Sequence, residues 1–506
     1  MLNAWNVLVS QSNYPDLYQV YDKDSMLAKN LYNAAMFRIR QTFIGWDKTS
    51  RTDHENEVFE EIRITKQTYP GLKIKRVLSY KALDKILRVT KNPDYFAGLP
   101  MQTAEAVVHQ AVNDFSSWLK ALRDYKKNPT KYTGKPRMPK YRKGDRAAFV
   151  FTNQDAVLYH EDDKRQDFAI LKIPGVPKSK KLTLFGIPTV GILKQISVTP
   201  MYGRFMMSFI MEDCAPPFYP DLPNMAGLDF GTDNIAALAC TDGSSVVCKG
   251  GAVLSENRLF AKNKADSVSL LTQGKVHAHA ESKHLTRLSL QHYCRQHDMM
   301  HKISCRIIEW CIEHRVGVLV IGTNKFWKQN ADMGKRNNQN FVSIPHAELR
   351  QMIAYKAMIA GITVIEQEES YTSKSDVTAN DPIPVYGHVE GKPSFSGRRI
   401  SRGRYQTHSG LIINADCNGS ANILRKAVPH AWAGKTDFRF LAAPYSITHQ
   451  RLQKVTGCHP KDPDQSIPEV SPTDEDRHDL PIPAIRRETE TRCWPCPYGR
   501  ISTFFL

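Results

Sequence analysis

The chain has 506 residues and carries 69 Lys+Arg against 51 Asp+Glu, a formal net charge of +18. That length accommodates two or three domains with ordinary cores, and the basic excess favours a polyanionic partner, most simply nucleic acid, through counterion release. No apolar run approaches the ~20 residues of a membrane span and no basic–apolar–small leader follows Met1, which argues against a membrane partner and sets the expectation of a soluble, intracellular protein.

Residues 21–124 repeat apolar positions at helical spacing, as in Leu31, Ala35 and Phe37, or Val107, Val108, Ala111, Phe115 and Leu119. The spacing predicts a small helical bundle. Residues 125–146 then concentrate basic side chains with Tyr125, Tyr132 and Tyr141 interleaved, while Pro129, Pro136, Pro139, Gly134 and Gly144 argue against a helix. On an extended backbone, Lys126, Lys127, Lys131, Lys135, Arg137, Lys140, Arg142 and Lys143 suit phosphate contact, and Tyr132 and Tyr141 suit base stacking. The plainer reading is a solvated basic linker.

Short apolar runs follow at 149–151, 169–173, 196–198 and 205–210, punctuated by Pro and Gly, and predict a small β-barrel or sandwich. A proline-rich break at 215–223 introduces a third domain. It opens with strands at 225–231, 235–241 and 245–248, the last two joined by the turn Thr241-Asp242-Gly243-Ser244. A long amphipathic helix with Ile303, Ile307, Trp310 and Cys311 on one face comes next. Then come an all-apolar strand at 318–321, a helix over 347–360 ended by Gly361, and a strand over 362–368. Meander, helix, strand, helix, strand is the element order of an RNase H-like domain. After about Ala443 the chain is rich in proline and charge without an apolar period and is expected to be disordered.

Two aspartates stand out. Asp229 ends an apolar strand ahead of Gly231, where an uncompensated carboxylate is costly unless it binds a cation or caps a turn. Asp416 precedes a helical stretch around 418–426, so helix capping is its plain alternative. Brought together by folding, the pair suits a divalent-metal nuclease. Two Mg²⁺ about 3.5–4 Å apart activate water and steady the leaving oxygen of a phosphodiester, and hard cations prefer carboxylate ligands. His297-x-x-x-His301 has the spacing of a zinc helix, but the general-base glutamate of a zinc protease is missing. Cys493-Trp494-Pro495-Cys496, with Cys458 and His459, has zinc-like spacing and no second CxxC pair. Lys335 and Arg336, in the amide-rich 334–340 stretch, read as a nucleic-acid loop.

Taken together, Leu31-Tyr32-Asn33, Pro136-Arg137-Met138-Pro139-Lys140-Tyr141, Gly227-Leu228-Asp229-Phe230-Gly231, Tyr355-Lys356-Ala357, Tyr371-Thr372-Ser373 and Asp416-Cys417-Asn418-Gly419-Ser420-Ala421-Asn422-Ile423 resemble the TnpB family. Its members are transposon-encoded, RNA-guided DNA endonucleases related to the type V CRISPR effectors. The resemblance spans about 30 to 430. It implies a multidomain α+β protein with a helical recognition domain (21–124) and a basic linker with a β-barrel wedge domain (125–222, its first strand within 1–20). It also implies a RuvC-type RNase H-like nuclease domain (223–372 and 411–443) and a basic insert at 373–410. It further implies a guide RNA and double-stranded target DNA as partners, in a monomeric ribonucleoprotein of the prokaryotic cytoplasm, with Mg²⁺ held by Asp229, Asp416 and a glutamate.

Two departures bear on that reading. Where the family pattern has a glutamate ending the strand at 318–321, this chain has Gly322-Thr323-Asn324. The nearest acids are Glu366, Glu368 and Glu369 on the next strand, where alternation puts Glu366 and Glu368 on one face and Glu369 on the other. Glu368 and Glu369 are the candidates for a relocated ligand. The second departure is that relatives carry a four-cysteine zinc ribbon between the segments matching Ser373 and Asn414, and this interval has no cysteine. Arg398, Arg399 and Arg402 offer DNA contact there without metal, and structural zinc is not expected. The rival readings are a nuclease-dead RNA-guided DNA-binding repressor and a cut-and-paste transposase.

Overall fold

A computed structural model describes residues 2–159, 168–177, 179, 182–185, 192–212, 222–273, 281–324, 342–385 and 393–448. They divide into two compact units, Met1–Ala215 and Pro216–Pro495. The 334–340 stretch with Lys335 and Arg336, and the cluster of Cys458, His459, Cys493 and Cys496, lie outside the described residues.

The first unit starts with β1 (Leu2–Val9), followed by α1 (Pro15–Gly45), α2 (Asp53–Thr68), α3 (Tyr80–Val89) and α4 (Met101–Lys127). Helix α1 begins at Pro15, upstream of the expected bundle, because proline's fixed φ suits a first helical turn. Helix α2 starts on a reciprocal cap, in which the Thr52 side chain accepts from the Glu55 backbone and the Glu55 carboxylate accepts from Thr52 N–H. Leu31 and Ala35 of α1 and Val107, Val108, Ala111 and Phe115 of α4 are buried in one core, as their spacing predicts, whereas Phe37 is only half-buried.

The basic segment departs from expectation at its start. Tyr125, Lys126 and Lys127 belong to the last turn of α4, and Pro129–Lys131 forms a 3-10 turn. Lysines at a helix C-terminus are favoured by the helix dipole, and proline is tolerated where a new turn begins.

Strands β2 (Phe149–Thr152), β3 (Val157–Tyr159), β4 (Phe168–Lys172), β5 (Leu182–Phe185), β6 (Ile192–Met201) and β7 (Arg204–Glu212) complete the unit. Among the described residues they form two antiparallel sheets, β1-β7-β6-β2 and β3-β4-β5. Phe205, Met207, Phe209 and Met211 of β7 alternate into the core, the two-residue period of a half-buried strand.

The second unit is layered around one mixed sheet. Its elements are β8 (Asn224–Phe230), β9 (Asn234–Cys240), β10 (Ser245–Lys249), α5 (Gly251–Thr272), α6 (Lys283–Glu313), β11 (Val316–Thr323), α7 (His346–Ile359), β12 (Thr363–Glu368), β13 (Arg398–Ser401), β14 (Arg404–Gln406), β15 (Ile412–Asn414), α8 (Ala415–Ala427) and β16 (Tyr445–Ile447). The sheet order is β12-β11-β8-β9-β10-β16, with β11 parallel to both β8 and β12. Alternation sorts its side chains into two cores. Leu228, Leu319 and Ile321 pack with Ile303 and Ile307 of α6 and Leu349 and Ile353 of α7. Ala237, Ala239 and Val320 pack on the other face with Ala421, Ile423 and Leu424 of α8.

Three features differ from the sequence reading. Two helices, α5 and α6, stand between β10 and β11 where one was predicted. The 373–410 insert contributes two strands, β13 and β14, which form a three-stranded sheet with β15 just beyond it. The expected disordered tail from 444 begins with an ordered strand, since β16 pairs in parallel with β10.

Candidate functional site

The site is built where β8, β11 and β12 meet α8. Along β8, Ala226, Leu228 and Phe230 enter the core shared with α6 and α7, which leaves Gly227 and Asp229 for the α8 face. Helix α8 packs very closely there. A Cβ on Gly227 would lie 1.9 Å from Ser420 O, and one on Gly419 would lie 2.5 Å from Asp229 Oδ2. The two glycines let helix and strand approach until the Asp229 carboxylate rests on the helix surface.

Asp416 lies within the first turn of α8, which begins at Ala415. The cap is Asn414, whose side-chain oxygen accepts from Asp416 N–H at 3.0 Å and Cys417 N–H at 3.1 Å. Capping is therefore done by another residue, and the Asp416 side chain is free of that role. Its Oδ2 accepts from Asn234 Nδ2 at 2.7 Å, and Lys249 Nζ donates to Asn234 Oδ1 at 3.0 Å.

The two candidate glutamates part company. Glu368 turns to Lys426 of α8, with Oε2 2.7 Å from Nζ, and its Oε1 accepts from Ser370 N–H at 2.6 Å. Burial would raise its carboxyl, but Lys426 and Ser370 together hold it below its ordinary value. Glu369 Oε2 is shut off from solvent and has no hydrogen-bond partner among the described residues. It lies 2.9 Å from where a Cβ on Gly322 would stand. The glycine that replaces the expected glutamate on β11 thus opens the space that the Glu369 carboxylate enters from the next strand. The shared face expected for Glu366 and Glu368 is not kept. Glu366 meets Arg350 of α7, whereas Glu368, at the strand's last position, meets Lys426 on the opposite layer.

Electrostatics tie Asp229 to both Glu369 and Asp416. Asp229 keeps some surface open, but its carboxyl group is packed round deeply. Burial, then the charges of Glu369 and Asp416, push it well above the ordinary carboxylate range, against a smaller opposing pull from Arg399. Burial and then Glu368 raise Glu369, with Lys426 opposing. Carboxylates that are mutually repulsive, buried and partly unpaired suit a hard cation by charge and by donor type. As placed, no group of three or more His, Cys, Asp or Glu side chains among the described residues encloses a metal position. The positive group standing there is Arg399, whose Nη2 is 3.4 Å from Asp416 Oδ1.

Arg399 and Arg402 therefore do not simply face outward. Arg402 pairs with Asp233 at 2.8 Å and donates to Thr232 Oγ1 at 3.2 Å, while Arg398 is exposed. In the first unit, Lys126, Lys127, Lys135, Arg137, Lys140, Tyr141 and Lys143 are exposed. Lys131 and Tyr132 both bind the Asp124 carboxylate, at 2.6 and 2.7 Å. Arg142 is withdrawn from the proposed set of phosphate contacts. Its guanidinium stacks 3.8 Å over the Tyr32 ring, and its backbone exchanges hydrogen bonds with the Asn33 side chain. Burial pulls its pKa down.

The histidine helix offers no zinc site among the described residues. His297 Nδ1 contacts Glu348, and burial pushes His301 down to about 2.

Sequence reasoning passed over the polar face of α8. Asn418 Nδ2 donates to Ser375 O at 2.8 Å, and Asn422 Nδ2 donates to Thr372 O at 3.0 Å and Ser375 O at 2.7 Å. Arg425 Nη2 donates to Ser375 Oγ and Asp381 O, at 2.9 and 2.7 Å. Two asparagines four residues apart in a helix otherwise rich in small apolar residues were the available signal, because buried amides need fixed partners. Asn234, Lys249 and Lys426 carried no such pattern.

Residues 218–328 match the OrfB_IS605 family model, described as a probable transposase, and residues 346–423 match the Cas12f1-like TNB domain model. No curated protein matches the chain. Among solved structures, a Cas12f1–sgRNA–target DNA complex aligns at 13% identity over 82% of this chain and 84% of that one, with a TM-score of 0.44. CasPhi-2 (Cas12j) bound to crRNA and phosphorothioate DNA aligns at 10% identity over 86% and 92%, with a TM-score of 0.38. Asp229 falls in the first family-matched segment, and Glu368, Glu369 and Asp416 fall in the second. These two matches, one to a transposon-associated family model and one to a Cas12f1-like domain model, agree with the TnpB resemblance of the motifs.

Proposed function

We propose that the chain is an RNA-guided DNA endonuclease with a single RuvC-like, RNase H-like site made of Asp229, Glu369 and Asp416. The observation that carries the reading is the buried Glu369 Oε2 in the space left by Gly322, without a hydrogen-bond partner among the described residues, its charge and that of Asp416 both acting on Asp229. Guide pairing would supply sequence specificity, and the protein would read a short motif beside the target. The exposed Lys126, Lys127, Lys135, Arg137, Lys140 and Lys143 suit phosphate backbones, and Tyr141 suits stacking. Under the same reading, the four-stranded and three-stranded sheets of the first unit serve as the wedge domain and its helices as the recognition domain.

Asp229, Glu369 and Asp416 would hold Mg²⁺, which supplies an activated water and stabilises the leaving 3′ oxygen. The chain's own contribution is placement. The close approach at Gly227 and Gly419 fixes Asp229, Asn234 orients Asp416 by its amide, and Arg399 brings a positive charge to where phosphate would sit. Glu368 is the weaker candidate because Lys426 and Ser370 already satisfy it.

The rival, a nuclease-dead DNA binder, is favoured by one observation: Arg399 already pairs with Asp416, and no carboxylate trio encloses a metal position as placed. Sequencing the RNA that co-purifies with the chain, then redirecting that guide to a matched duplex with Mg²⁺, separates the readings. The nuclease reading expects cut DNA. Tight guide-dependent binding with intact DNA supports the rival, and strand transfer without RNA would point to a transposase.

A further inference from the structure

We propose that Lys426 is a positioning residue that selects which of two adjacent glutamates enters the site, holding Glu368 aside so that Glu369 faces Gly322. The inference rests on the nuclease reading above and deepens it.

The end of β12 presents Glu368 and Glu369 in succession, with nothing in the strand itself to choose between them. Helix α8 makes the choice. The Lys426 side chain is 7% exposed, and its ammonium meets three oxygens, at 2.7 Å from Glu368 Oε2, 3.0 Å from Ser370 O and 3.1 Å from Pro384 O. Three acceptors match the three donors of an ammonium, so the group is satisfied in a single geometry. One turn back on α8, Asn422 Nδ2 holds Thr372 O at 3.0 Å, and Thr372 in turn donates to Glu369 O through its backbone N–H at 3.2 Å and its hydroxyl at 2.8 Å. Positions 422 and 426 are four apart and share a helix face. Together they grip the chain on both sides of Glu369, at Glu368 and at the 370–372 turn.

With the backbone gripped there, the Glu369 carboxylate stands in the space over Gly322, 2.9 Å from where a Cβ would be. The helix that supplies Asp416 and receives Asp229 against Gly419 therefore also places the third carboxylate. Relocating a ligand from one strand to its neighbour requires both the vacated volume at Gly322 and this grip. Without Lys426, the Glu368 carboxylate loses its cation, keeps only the Ser370 N–H, and becomes a second, competing occupant of the strand end.

Mn²⁺ binding to the purified full-length chain, read by the loss of free-ion EPR signal and compared with thermal stability, tests the inference. Outer residues that orient a metal ligand typically contribute 10–100-fold in affinity. K426M is expected to weaken Mn²⁺ binding by about 10-fold or more, and K426R to restore most of it. E369Q should lose binding at least as strongly, while E368Q should stay within about threefold of the parent because that carboxylate anchors and does not ligate. If K426M fails to fold, the contrast between E368Q and E369Q, with K426R, still decides. Parent-like affinity in K426M, a K426R no better than a folded K426M, or a larger loss in E368Q than in E369Q overturns the assignment to Lys426. Parent-like Mn²⁺ affinity in E369Q instead overturns the underlying metal-site reading.

Discussion

The second unit holds two groups of buried acids, built from the same side chains to opposite ends. In the 373–410 insert both described carboxylates are occupied. Asp376 accepts from Thr378 N–H at 2.9 Å, Thr378 Oγ1 at 2.7 Å and His408 N–H at 2.6 Å. Asp381 accepts from Asp376 N–H at 2.9 Å, Ser396 N–H at 2.8 Å and the Ser396 hydroxyl. Burial alone would raise Asp381, but those hydrogen bonds and the nearby Arg425 hold it below its ordinary value. At Asp229 and Glu369 the balance is reversed: burial raises both carboxyls, helped at Asp229 by the charges of Glu369 and Asp416 and at Glu369 by that of Glu368, and Glu369 Oε2 has no hydrogen-bond partner among the described residues. Satisfied acids serve the fold, and unsatisfied ones serve chemistry. The first group also explains how an interval without cysteine is held together, through buried hydrogen bonds to the Asn418, Asn422 and Arg425 face of α8.

The contrast is broken most severely at the unsatisfied group. D229A should lower guide-directed DNA cleavage on the order of 1,000-fold or more while leaving thermal stability unchanged or improved, since it relieves repulsion. A large loss of stability would place Asp229 with the structural acids. In the insert the outcome should invert. R425M removes the guanidinium that donates to Ser375 Oγ and Asp381 O in a buried setting, leaving them only the bond from Ser375 Oγ to Asp381 O, and should cost about 3 kcal/mol, measured by denaturant unfolding.

G322A tests the space between the strands. Its Cβ would stand 2.6 Å from Ile423 Cδ1 and 2.9 Å from Glu369 Oε2, so about 1–2 kcal/mol of stability and much of the metal affinity should be lost. The smallest effect is in pH dependence. Glu369's folded-state value is raised from 4.5 to about 7, so the folded state holds that proton more tightly than the unfolded chain. The metal-free protein should therefore lose stability as pH rises across that window, and E369Q should flatten the slope. Asp381, being lowered, has the opposite sign: it stabilises above its unfolded value, and that contribution disappears only as the solution becomes strongly acidic.

Much of this site is legible in the sequence. A period of two places Ala226, Leu228 and Phe230 opposite Gly227 and Asp229, and the buried strand at Val318–Ile321 is recognisable from its apolar run. Glu368 and Glu369 cannot be separated that way, because alternation says that neighbours diverge without saying which one meets α8. The answer comes from Lys426, more than fifty residues downstream. The insert's hydrogen-bonded core is hidden for the same reason, since its partners, such as Ser396 and Asp381, lie on separate turns. β16 has only three residues and no period to detect. In the basic segment, Arg142 reads as one more phosphate contact until Tyr32 is found beneath it.

The most direct measurement is the cleavage rate of a guide-matched duplex by the E369Q and E368Q ribonucleoproteins, side by side in Mg²⁺. The account predicts a loss of about 100-fold or more for E369Q and no more than about tenfold for E368Q. Equal rates for E369Q and the parent, or a loss found in E368Q alone, would contradict it.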